Sequence, residues 1–397
     1  MTQSKLTAAQ IHIGKPLQFD VFNSEGKLLL RRGIIIERAS QLDQLVALGL
    51  FREGNHDDGQ QSALDRLHLA VTSSEHRRPV QKLSAFGLMH TVTTDLDLLL
   101  QNASVDTFGS AVLALAARLQ RVCALNADAA LATIQLMNEG RYGIRRMIHV
   151  AIVAELILQA QQVPEAQRQV VLAAAMTSNM TMLALQDILY EQHEKMSPGQ
   201  VQVMLAHPAQ GVEALKALGI TDPVWLEAVE QHHETIDGKG YPNGLATPLI
   251  GHHAQVLGLC DRFTALCTGR KHRPPALPSA VLKELFTDRG KGFDSDLVAM
   301  LIKVTGLYPP GSLVRLANGD IAVVVKRTMS NKQPVVKSVK SPRSVEPLAS
   351  PRKHLTSEAA YAITALVGAV ELGFPVDPDL LWDETFEFAK EPSEADT

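Results

Sequence analysis

Cysteine is scarce in this chain. Its 397 residues include three cysteines, Cys123, Cys260 and Cys267, and each lies in an apolar stretch. Small secreted domains depend on dense disulfide bonds, so this pattern excludes that class and predicts reduced thiols in a core. The N terminus, MTQSKLTAAQ, has one lysine and no apolar stretch behind it, unlike a signal peptide. We therefore expect a cytoplasmic protein.

The chain also lacks an excess of charge of one sign and any long apolar run. Its net charge is −4, with 20% charged and 46% hydrophobic residues, which is typical of a globular protein. This balance predicts no nucleic-acid partner. The most apolar helical segment starts at Val150, reaches about half of the roughly 20 residues that a membrane span requires, and is interrupted by Glu155. We expect no membrane span.

Turn-forming and polar clusters divide the N-terminal region. Short apolar runs between residues 11 and 36 are separated by Asn-Ser-Glu-Gly and Arg-Arg-Gly clusters, a pattern that favours strands. Residues 1–52 are therefore predicted to form a small β-containing module that a helix around residues 41–48 closes. Residues 53–85 are rich in His, Asp and Ser and are predicted to be a linker.

A long helical region follows. Across residues 86–308, Leu, Ala, Val and Met recur at three- and four-residue spacing, and helix starts are marked at Ser197-Pro198 and Asp222-Pro223. The sequence predicts a mostly α fold. Residues 309–327 predict a β-hairpin at Asn318-Gly319, residues 328–356 a basic, Pro/Ser-rich linker, and residues 357–397 a C-terminal helix from Ser357 to Gly373 with an acidic tail.

Residues 231–245, QHHETIDGKGYPNGL, carry the most information about function. If the preceding helix continues through these residues, its buried face has two lines of side chains. One line is Val224, Ala228 and His232, and the other is Trp225, Val229 and His233. Adjacent buried imidazoles each need a partner, and a bound cation is one solution. On this ground alone, a hydrogen-bonded core pair and a metal site both stay open.

The whole string, HHExxDGxGYPxGL, resembles the signature of the HD-GYP family. The resemblance extends from about Tyr142 to Phe293, and more loosely to both flanking β regions. It implies an HD-type helical domain similar to cyclic di-GMP phosphodiesterases, in which two or three clustered iron or manganese ions hold a bridging hydroxide that attacks phosphorus.

Several positions match the ligands and substrate contacts that the resemblance implies. His207, in HPAQG, matches the histidine of an HPxxG motif, and His232 and His233 match the His-His pair. Asp261 matches a late aspartate and lies on an apolar stripe, so it is expected to be buried with a partner. Arg270 and Arg273 are candidates for ligand binding, and the alternative is that they only contribute to surface solubility. Lys239 and Tyr241, in the Gly-Tyr-Pro loop, are also candidates for ligand binding.

Other positions depart from the family pattern. Arg146 stands where the resemblance places an early metal-binding histidine. Ser178 and Asn179 replace the His-Asp doublet, and Met182 replaces a nearby lysine. Thr264 replaces the second aspartate of the late motif. The resemblance assigns the early His, the doublet and the late Asp to one metal, and the three retained histidines with the doublet Asp to the other.

These departures predict a catalytically inactive regulator or scaffold in cyclic di-GMP-linked signalling, with protein partners at the Gly-Tyr-Pro loop. One alternative is a phosphodiesterase with a reduced three-His site, and another is a sensor that binds cyclic di-GMP without hydrolysing it. The cofactor is one divalent metal (Fe, Mn or Zn) or none. We also hypothesise that Arg146 pairs with Asp261, the alternative being that its head extends to solvent.

Overall fold

The computed structural model describes residues 80–328, 332–382 and 384–389, and four short strands nearer the N terminus. The chain divides into two units, Met1–Arg77 and Arg78–Thr397. In the first, the strands β1 (Gln3–Lys5), β2 (Val21–Phe22), β3 (Leu28–Leu30) and β4 (Phe51–Glu53) form an antiparallel sheet in the order β1-β4-β2-β3. The predicted β content is therefore present, whereas the helix predicted around residues 41–48 lies outside the described residues.

The second unit starts with β5 (Val80–Ser84) and continues as the predicted helical region. Its helices are, in chain order, α1 (Ala85–Gln101), α2 (Phe108–Leu125), α3 (Ala127–Leu136), α4 (Tyr142–Ala160), α5 (Glu165–Thr177), α6 (Leu183–Glu191), α7 (Pro198–Ala217), α8 (Pro223–Gln231), α9 (His252–Cys267), α10 (Pro278–Thr287) and α11 (Ser295–Thr305). The expected N-caps are present, because the side chain of Ser197 accepts from the N–H of Gln200 and that of Asp222 accepts from the N–H groups of the first turn of α8. The mostly α class is confirmed.

Helix α4 lies at the centre of the bundle. Every residue from Tyr142 to Leu158 is buried, and the helix packs against α2, α5, α9 and α11. A helix that is buried all round is normally apolar all round, yet α4 carries Arg145, Arg146 and His149 in its first two turns. These three polar side chains therefore need partners inside the protein.

Helix α2 is long and apolar enough, by length and composition, to cross a membrane, and 44% of it is buried within the fold. It packs against α1, α4 and α5, and the guanidinium of Arg118 pairs with Asp95 on α1 at 2.6 Å. The core helix of a bundle can have the same length and apolar composition, so α2 is weak evidence for a membrane span. The three cysteines are buried and free, as predicted.

A five-stranded antiparallel sheet follows the helical region, in the order β10-β6-β7-β8-β9. Its strands are β6 (Leu313–Leu316), β7 (Ile321–Lys326), β8 (Val335–Lys340), β9 (Arg352–Leu355) and β10 (Ile363–Leu366). Strands β6 and β7 form the hairpin predicted at Asn318-Gly319, and Gly319 has the positive φ of 88° that this turn requires. The hairpin is thus one part of a larger sheet.

The prediction of a basic linker over residues 328–356 is wrong, because β8 and β9 lie within it and pair with each other. Pro334 and Pro351 directly precede these strands and Pro342 follows β8, so the prolines mark strand ends, where they remove no ladder hydrogen bond. In β8 the buried valines Val335, Val336 and Val339 alternate irregularly with lysines. The lysines and prolines of this segment indicated a linker, and for this reason β8 was not predicted from the sequence.

Two further predictions at the C terminus need correction. The helix predicted from Ser357 to Gly373 is instead a 3₁₀ turn, strand β10 and the four-residue helix α12 (Ala369–Leu372). Within the predicted acidic tail, β11 (Thr385–Ala389) pairs antiparallel with β5, which lies in the segment predicted as linker. The sequence of β11, TFEFA, has the period-two pattern of a strand. Residues 390–397 and 54–79 lie outside the described residues.

We predict that Ile152→Ala, in the middle of α4, lowers the free energy of unfolding by about 2–5 kcal/mol, because Ile152 is completely buried and its truncation leaves a cavity. Ile188→Ala on α6 is the matched control, because Ile188 is 54% exposed. Urea denaturation of both variants measures the difference. Equal losses would contradict the central position of α4.

Candidate functional site

A cavity of about 450 Å³ opens among α4, α6, α7 and α9. The histidines predicted as metal ligands line it together with Arg146 and Asp261. His207 comes from α7, His232 directly follows the last residue of α8, and His233 is the next residue. The helix of the His-His pair therefore ends at Gln231, one residue before the pair, and Val224 in its first turn is 37% exposed rather than buried.

The three histidines converge, as predicted. Each offers one ring nitrogen, and these nitrogens all lie within 4.8 Å of one another. His207 and His232 are buried and His233 is half-buried. The Nε2 atoms of His207 and His232 are 3.3 Å apart. Two nitrogens of a tetrahedral zinc site are separated by roughly 3.4 Å, since each Zn–N bond is about 2.0–2.1 Å.

Pro208 explains how His207 is oriented. A proline inside a helix has no N–H, so the carbonyl four residues earlier loses its helical donor. Here that carbonyl belongs to Met204, and the Nδ1 of His207 lies 2.5 Å from its oxygen. The hydroxyl of Thr181 donates to the carbonyl of His207 at 3.1 Å. The proline of the HPxxG motif therefore leaves the Met204 carbonyl without a helical donor, and this carbonyl orients the imidazole of His207.

The end of α8 orients His232 in the same way. The Nδ1 of His232 lies 2.7 Å from the carbonyl oxygen of Val229, one of the last-turn carbonyls that have no helical donor. Because a carbonyl only accepts, both Nδ1 atoms carry the proton, and both Nε2 atoms present lone pairs. Two facing lone pairs repel each other, and a cation between them satisfies both.

The electrostatics keep these imidazoles neutral. Burial lowers the pKa of His207 to about 3, and the neighbouring His232 and Arg146 act in the same direction. Burial also lowers the pKa of His232, and burial together with His232 and His207 holds the pKa of His233 well below its usual value. Neutral imidazole is the form that binds a metal, so the cluster is ready to bind one at neutral pH.

The predicted ion pair between Arg146 and Asp261 is present. The Nη2 of Arg146 lies 2.5 Å from the Oδ1 of Asp261, and both side chains are about nine-tenths buried. Burial is the largest single effect and acts to lower the pKa of Arg146, but Asp261 together with Tyr142 and Tyr241 outweighs it, so the pKa is raised. The alternative, in which the arginine head extends to solvent, is wrong.

Four of the positions that depart from the family pattern are buried: Ser178, Asn179, Met182 and Thr264. Ser178 and Asn179 lie between α5 and α6, and the amide of Asn179 donates to the hydroxyl of Ser178 at 3.2 Å. Met182 and Asn179 line the cavity. The hydroxyl of Thr264 donates to the carbonyl of Cys260, one turn earlier in α9. None of these four side chains carries a charge.

Glu234 holds the Gly-Tyr-Pro loop in place. Its two carboxylate oxygens accept from the N–H groups of Asn243, at 2.7 Å, and Leu245, at 2.9 Å. Gly240 passes so close that a Cβ there would lie 2.4 Å from the Cα of Glu234, so this position excludes every other residue. The sequence analysis did not assign this role to Glu234, although the residue is part of the quoted motif.

The predicted ligand-binding residues separate into two groups. Tyr241 and Arg270 line the cavity, and the ring of Tyr241 stacks on His233 with centroids 4.6 Å apart. Arg273 is exposed outside it, and its guanidinium donates to the carbonyl of Ala265. Lys239 is also exposed and pairs with Asp237 at 3.0 Å.

Two buried side chains near the site were missed by the sequence analysis. Gln186, on α6, is 2% exposed, lines the cavity, and neither atom of its amide has a partner among the described residues. His149 lies one turn from Arg146 on α4 and is completely buried. Neither of its ring nitrogens has a hydrogen-bond partner among the residues that the structure describes. Its burial, helped by Arg145 and Arg146, lowers its pKa to about 3. The position of His149 within the apolar face of α4 was the available signal for that residue.

Comparison with known proteins shows what the helical region resembles. Residues 115–297 match the family model described as HD domain. This region, a little under half of the chain, is similar to HD domains. It contains the three histidines, the Arg146–Asp261 pair and the Gly-Tyr-Pro loop.

Curated relatives of the chain are named as cyclic dinucleotide phosphodiesterases. The cyclic di-GMP phosphodiesterase PA4108 of Pseudomonas aeruginosa is 27% identical over 224 residues, 56% of this chain and 53% of that protein. The cyclic di-GMP phosphodiesterase response regulator RpfG of Xanthomonas campestris is 29% identical over 161 residues, 40% of this chain and 42% of that protein. The chain spans about half the length of these relatives.

Among solved structures, Bd1817, an HDG"Y"P protein from Bdellovibrio bacteriovorus, aligns over 76% of this chain and 99% of its own. The sequence identity is 15% and the TM-score 0.49.

The three-histidine cluster fits one metal ion by its donor chemistry. His207, His232 and His233 would hold a divalent ion, because the tautomers of His207 and His232 are fixed and their Nε2 atoms are 3.3 Å apart. Such an ion would supply Lewis acidity and lower the pKa of a bound water. A second ion is disfavoured at Asp261, because the guanidinium of Arg146 already pairs with that carboxylate.

We predict that Arg146 and Asp261 are strongly coupled in a double-mutant cycle. Arg146→Met and Asp261→Asn should each lower the free energy of unfolding by about 3 kcal/mol or more, because each leaves the partner without its counter-charge in the interior. The double variant should lose about 1–3 kcal/mol less than the sum. Urea unfolding of the parent protein, the two single variants and the double variant measures the coupling.

The matched control is the pair of Arg141 and Asp187, which has the same 2.5 Å separation but side chains 32% and 43% exposed. The cycle Arg141→Met with Asp187→Asn should give a coupling below about 1 kcal/mol. A coupling at Arg146–Asp261 no larger than this control would contradict the importance of burial.

We also predict that His149 makes the helical region acid-sensitive. Because its pKa is lowered to about 3 in the folded protein and is about 6.5 when unfolded, the unfolded state binds more protons between these values. Stability is therefore fully present above pH 6.5 and falls as the pH drops towards 3. Between pH 7 and 5 the loss from His149 is about 2 kcal/mol.

His149→Leu removes this contribution, so its unfolding free energy should change less over pH 7 to 5 than that of the parent protein. Chemical denaturation at several pH values measures both curves. Parallel curves for the two proteins would show that His149 is not held neutral by the fold.

Proposed function

We propose that this chain is a catalytically silent protein of the HD-GYP type, acting in the cytoplasm as a regulator or scaffold in cyclic di-GMP-linked signalling. The HD domain and the names of its relatives support the signalling context. The quoted motif, HHExxDGxGYPxGL, supports the HD-GYP type. The loss of turnover is our inference from the site.

The observation that carries the proposal is the ion pair between Arg146 and Asp261. Two-metal hydrolysis requires two cations a few ångströms apart that share and activate one hydroxide. In the pattern that the resemblance implies, Asp261 would hold one of them. Here its carboxylate is neutralised by a guanidinium, which has no vacant coordination position for a water molecule and stays protonated at any physiological pH.

The neighbouring substitutions support the same conclusion. Asn179, at the position of the bridging aspartate, contributes no negative charge, and a neutral amide is a poor bridge between two divalent cations. Ser178 donates to the carbonyl of Ala175 and accepts from Asn179, so its hydroxyl is already engaged within the fold. Met182 adds an apolar wall to the cavity.

A second candidate function is a phosphodiesterase that uses one metal in the three-histidine cluster. The facing Nε2 atoms of His207 and His232 favour it, because three imidazoles with an open position are a known arrangement for activating water. Metal binding and hydrolysis are separable, however. A single ion without the second metal leaves the leaving oxygen unstabilised, so we rank this function below the silent one.

The Gly-Tyr-Pro loop, residues 239–244, is our proposed contact surface for a protein partner. Glu234 and Gly240 hold its backbone in a fixed conformation. Lys239, Asn243 and Gly244 are exposed on it. A rigid exposed loop binds with little loss of conformational entropy, which suits a scaffold.

We predict no hydrolysis of cyclic di-GMP by the purified protein with added Mn²⁺ or Fe²⁺. The physical reason is that the Arg146–Asp261 pair and Asn179 leave no position for the second metal. The measurement is chromatographic detection of the linear product, with elemental analysis of the same sample to record up to one metal ion per chain.

His232→Ala is the control for trace activity, because it removes a ligand of the remaining metal position. Residual turnover that survives this change comes from a contaminant. Turnover that His232→Ala abolishes would overturn the proposal and establish the single-metal enzyme.

A further inference from the structure

We propose that a groove between the C-terminal sheet and the helical region binds an extended acidic segment of a partner protein. Residues 326–353, most of which the sequence predicted as a basic linker, carry eight basic residues and one acidic residue. Because this segment forms β8 and part of β9, its charges have fixed positions. The residues that line the groove are different from those of the histidine cavity, so the inference goes beyond the proposed function.

Three lysines from neighbouring strands converge on this groove. Its volume is about 610 Å³, and Lys326 of β7, Lys337 of β8 and Lys353 of β9 line it. Lys337 is half-buried and has an interaction of its own. It is directly opposite Lys353 in the antiparallel pair of β8 and β9. Like charges in this position destabilise a sheet, and a bound carboxylate would offset their repulsion.

The carboxylates that line the groove leave two of these lysines available. The carboxylate of Asp128 pairs with the guanidinium of Arg327 at 2.5 Å, and that of Glu384 accepts from an asparagine of the turn between α2 and α3 at 3.1 Å. Lys326 and Lys353 are exposed, and neither has a carboxylate partner among the residues that the structure describes. Their ammonium groups therefore attract an anionic ligand.

The other walls of the groove are apolar. Val335, Leu381 and Trp382 are buried and line it, and Leu125, at the end of α2, lines it with 41% of its surface exposed. Val335 is opposite Lys326 in the pair of β7 and β8. A ligand that carries only charges would leave this apolar surface in contact with water. A peptide with one apolar side chain between two carboxylates covers it and pairs with the lysines.

The spacing of the two available lysines predicts the pattern of such a peptide. In a sheet, the Cα atoms of Lys326 and Lys353 are separated by two strand spacings and two residues, roughly 12 Å. In an extended peptide, residues i and i+4 lie on the same side about 13 Å apart, and residue i+2 lies between them on that side. The predicted ligand is therefore a segment with the order acidic, any, apolar, any, acidic.

The shape of the groove favours a peptide over other polyanions. A flat lipid surface contacts side chains that protrude, whereas Lys337 is half-buried on a concave wall. Single-stranded nucleic acids need exposed aromatic rings on which bases stack. The ring of Trp382 is 6% exposed, and its nitrogen donates to the carbonyl of Val325 at 3.1 Å, so this ring offers no face to a base.

The experiment uses the full-length protein and a fluorescein-labelled peptide that contains Glu-Ser-Leu-Ser-Glu, with fluorescence anisotropy to measure binding. The same peptide with Gln in place of both Glu residues is the reference without charge. We expect the acidic peptide to bind and the reference peptide not to bind. Raising the ionic strength to about 1 M should weaken binding, because the Debye length falls to about 3 Å.

Lys326→Gln and Lys353→Gln should each weaken binding about threefold, and the double variant about tenfold, because each loses one exposed ion pair with the peptide. Lys332→Gln and Arg343→Gln are the matched controls. They remove the same charge from exposed positions of the same segment that do not line the groove. Both control variants should bind like the parent.

Lys353→Glu separates recognition from folding. It places opposite charges directly across from each other at Lys337, and such a pair stabilises a sheet. The midpoint of thermal unfolding should therefore equal or exceed that of the parent, whereas peptide binding should fall at least about tenfold. If Lys353 had a structural role alone, binding would fall only together with the unfolding midpoint. Lys332→Glu is the control for charge reversal.

Equal weakening by the groove and control variants would show that binding follows net charge, and would overturn the inference. So would the absence of binding by the acidic peptide. Phosphatidylserine vesicles that bind through the same two lysines more tightly than the peptide would assign the groove to a lipid surface instead. Binding that appears only after removal of residues 390–397, which carry three carboxylate side chains, would assign it to this chain's own acidic end. None of these outcomes bears on hydrolysis, so the proposed function is tested separately.

Discussion

The ion pair between Arg146 and Asp261 is the interaction on which the rest of the site depends. The two residues lie on α4 and α9, which pack against each other in the interior. Neither charge is stable there alone, since an isolated buried ion loses several kcal/mol of hydration. The pair therefore fixes how these helices face each other, and this arrangement sets one wall of the cavity and the distance from that wall to the three histidines.

The histidine cluster shows how backbone geometry can build a metal-binding surface before any metal is present. Pro208 frees the carbonyl of Met204, and the end of α8 frees that of Val229, so both Nδ1 atoms are engaged and both Nε2 atoms face inward. Burial is the main cause that lowers the pKa values of His207, His232 and His233, and the positive charge of Arg146 adds to it at longer range. Both effects favour the neutral imidazoles.

Much of the site could be predicted from the sequence because its residues lie in motifs with fixed spacing. The convergence of the histidines was implied by the family resemblance, and the pairing of Arg146 with Asp261 was predicted because both residues lie on apolar helical stripes. Gln186 could not be found in this way, since a single glutamine on a helix has no pattern and its burial depends on tertiary packing. The strands β8 and β9 were missed because charge and proline content were weighed above the valines between them. Strand pairing is non-local, and the partner of β5 lies some 300 residues away in β11, beyond any pattern in a short window.

In the function that we propose, an arginine stands in the place of a metal, which preserves one property of the ion and removes another. The positive charge remains, and so do hydrogen-bond donors directed towards oxygen anions. Lewis acidity is lost, because a guanidinium has no empty coordination position with which to acidify a water molecule. Affinity for a phosphoester needs only the first property, whereas hydrolysis needs the second. A single arginine of this kind can therefore separate recognition from catalysis, and Asp261 is the counter-ion that its buried charge requires.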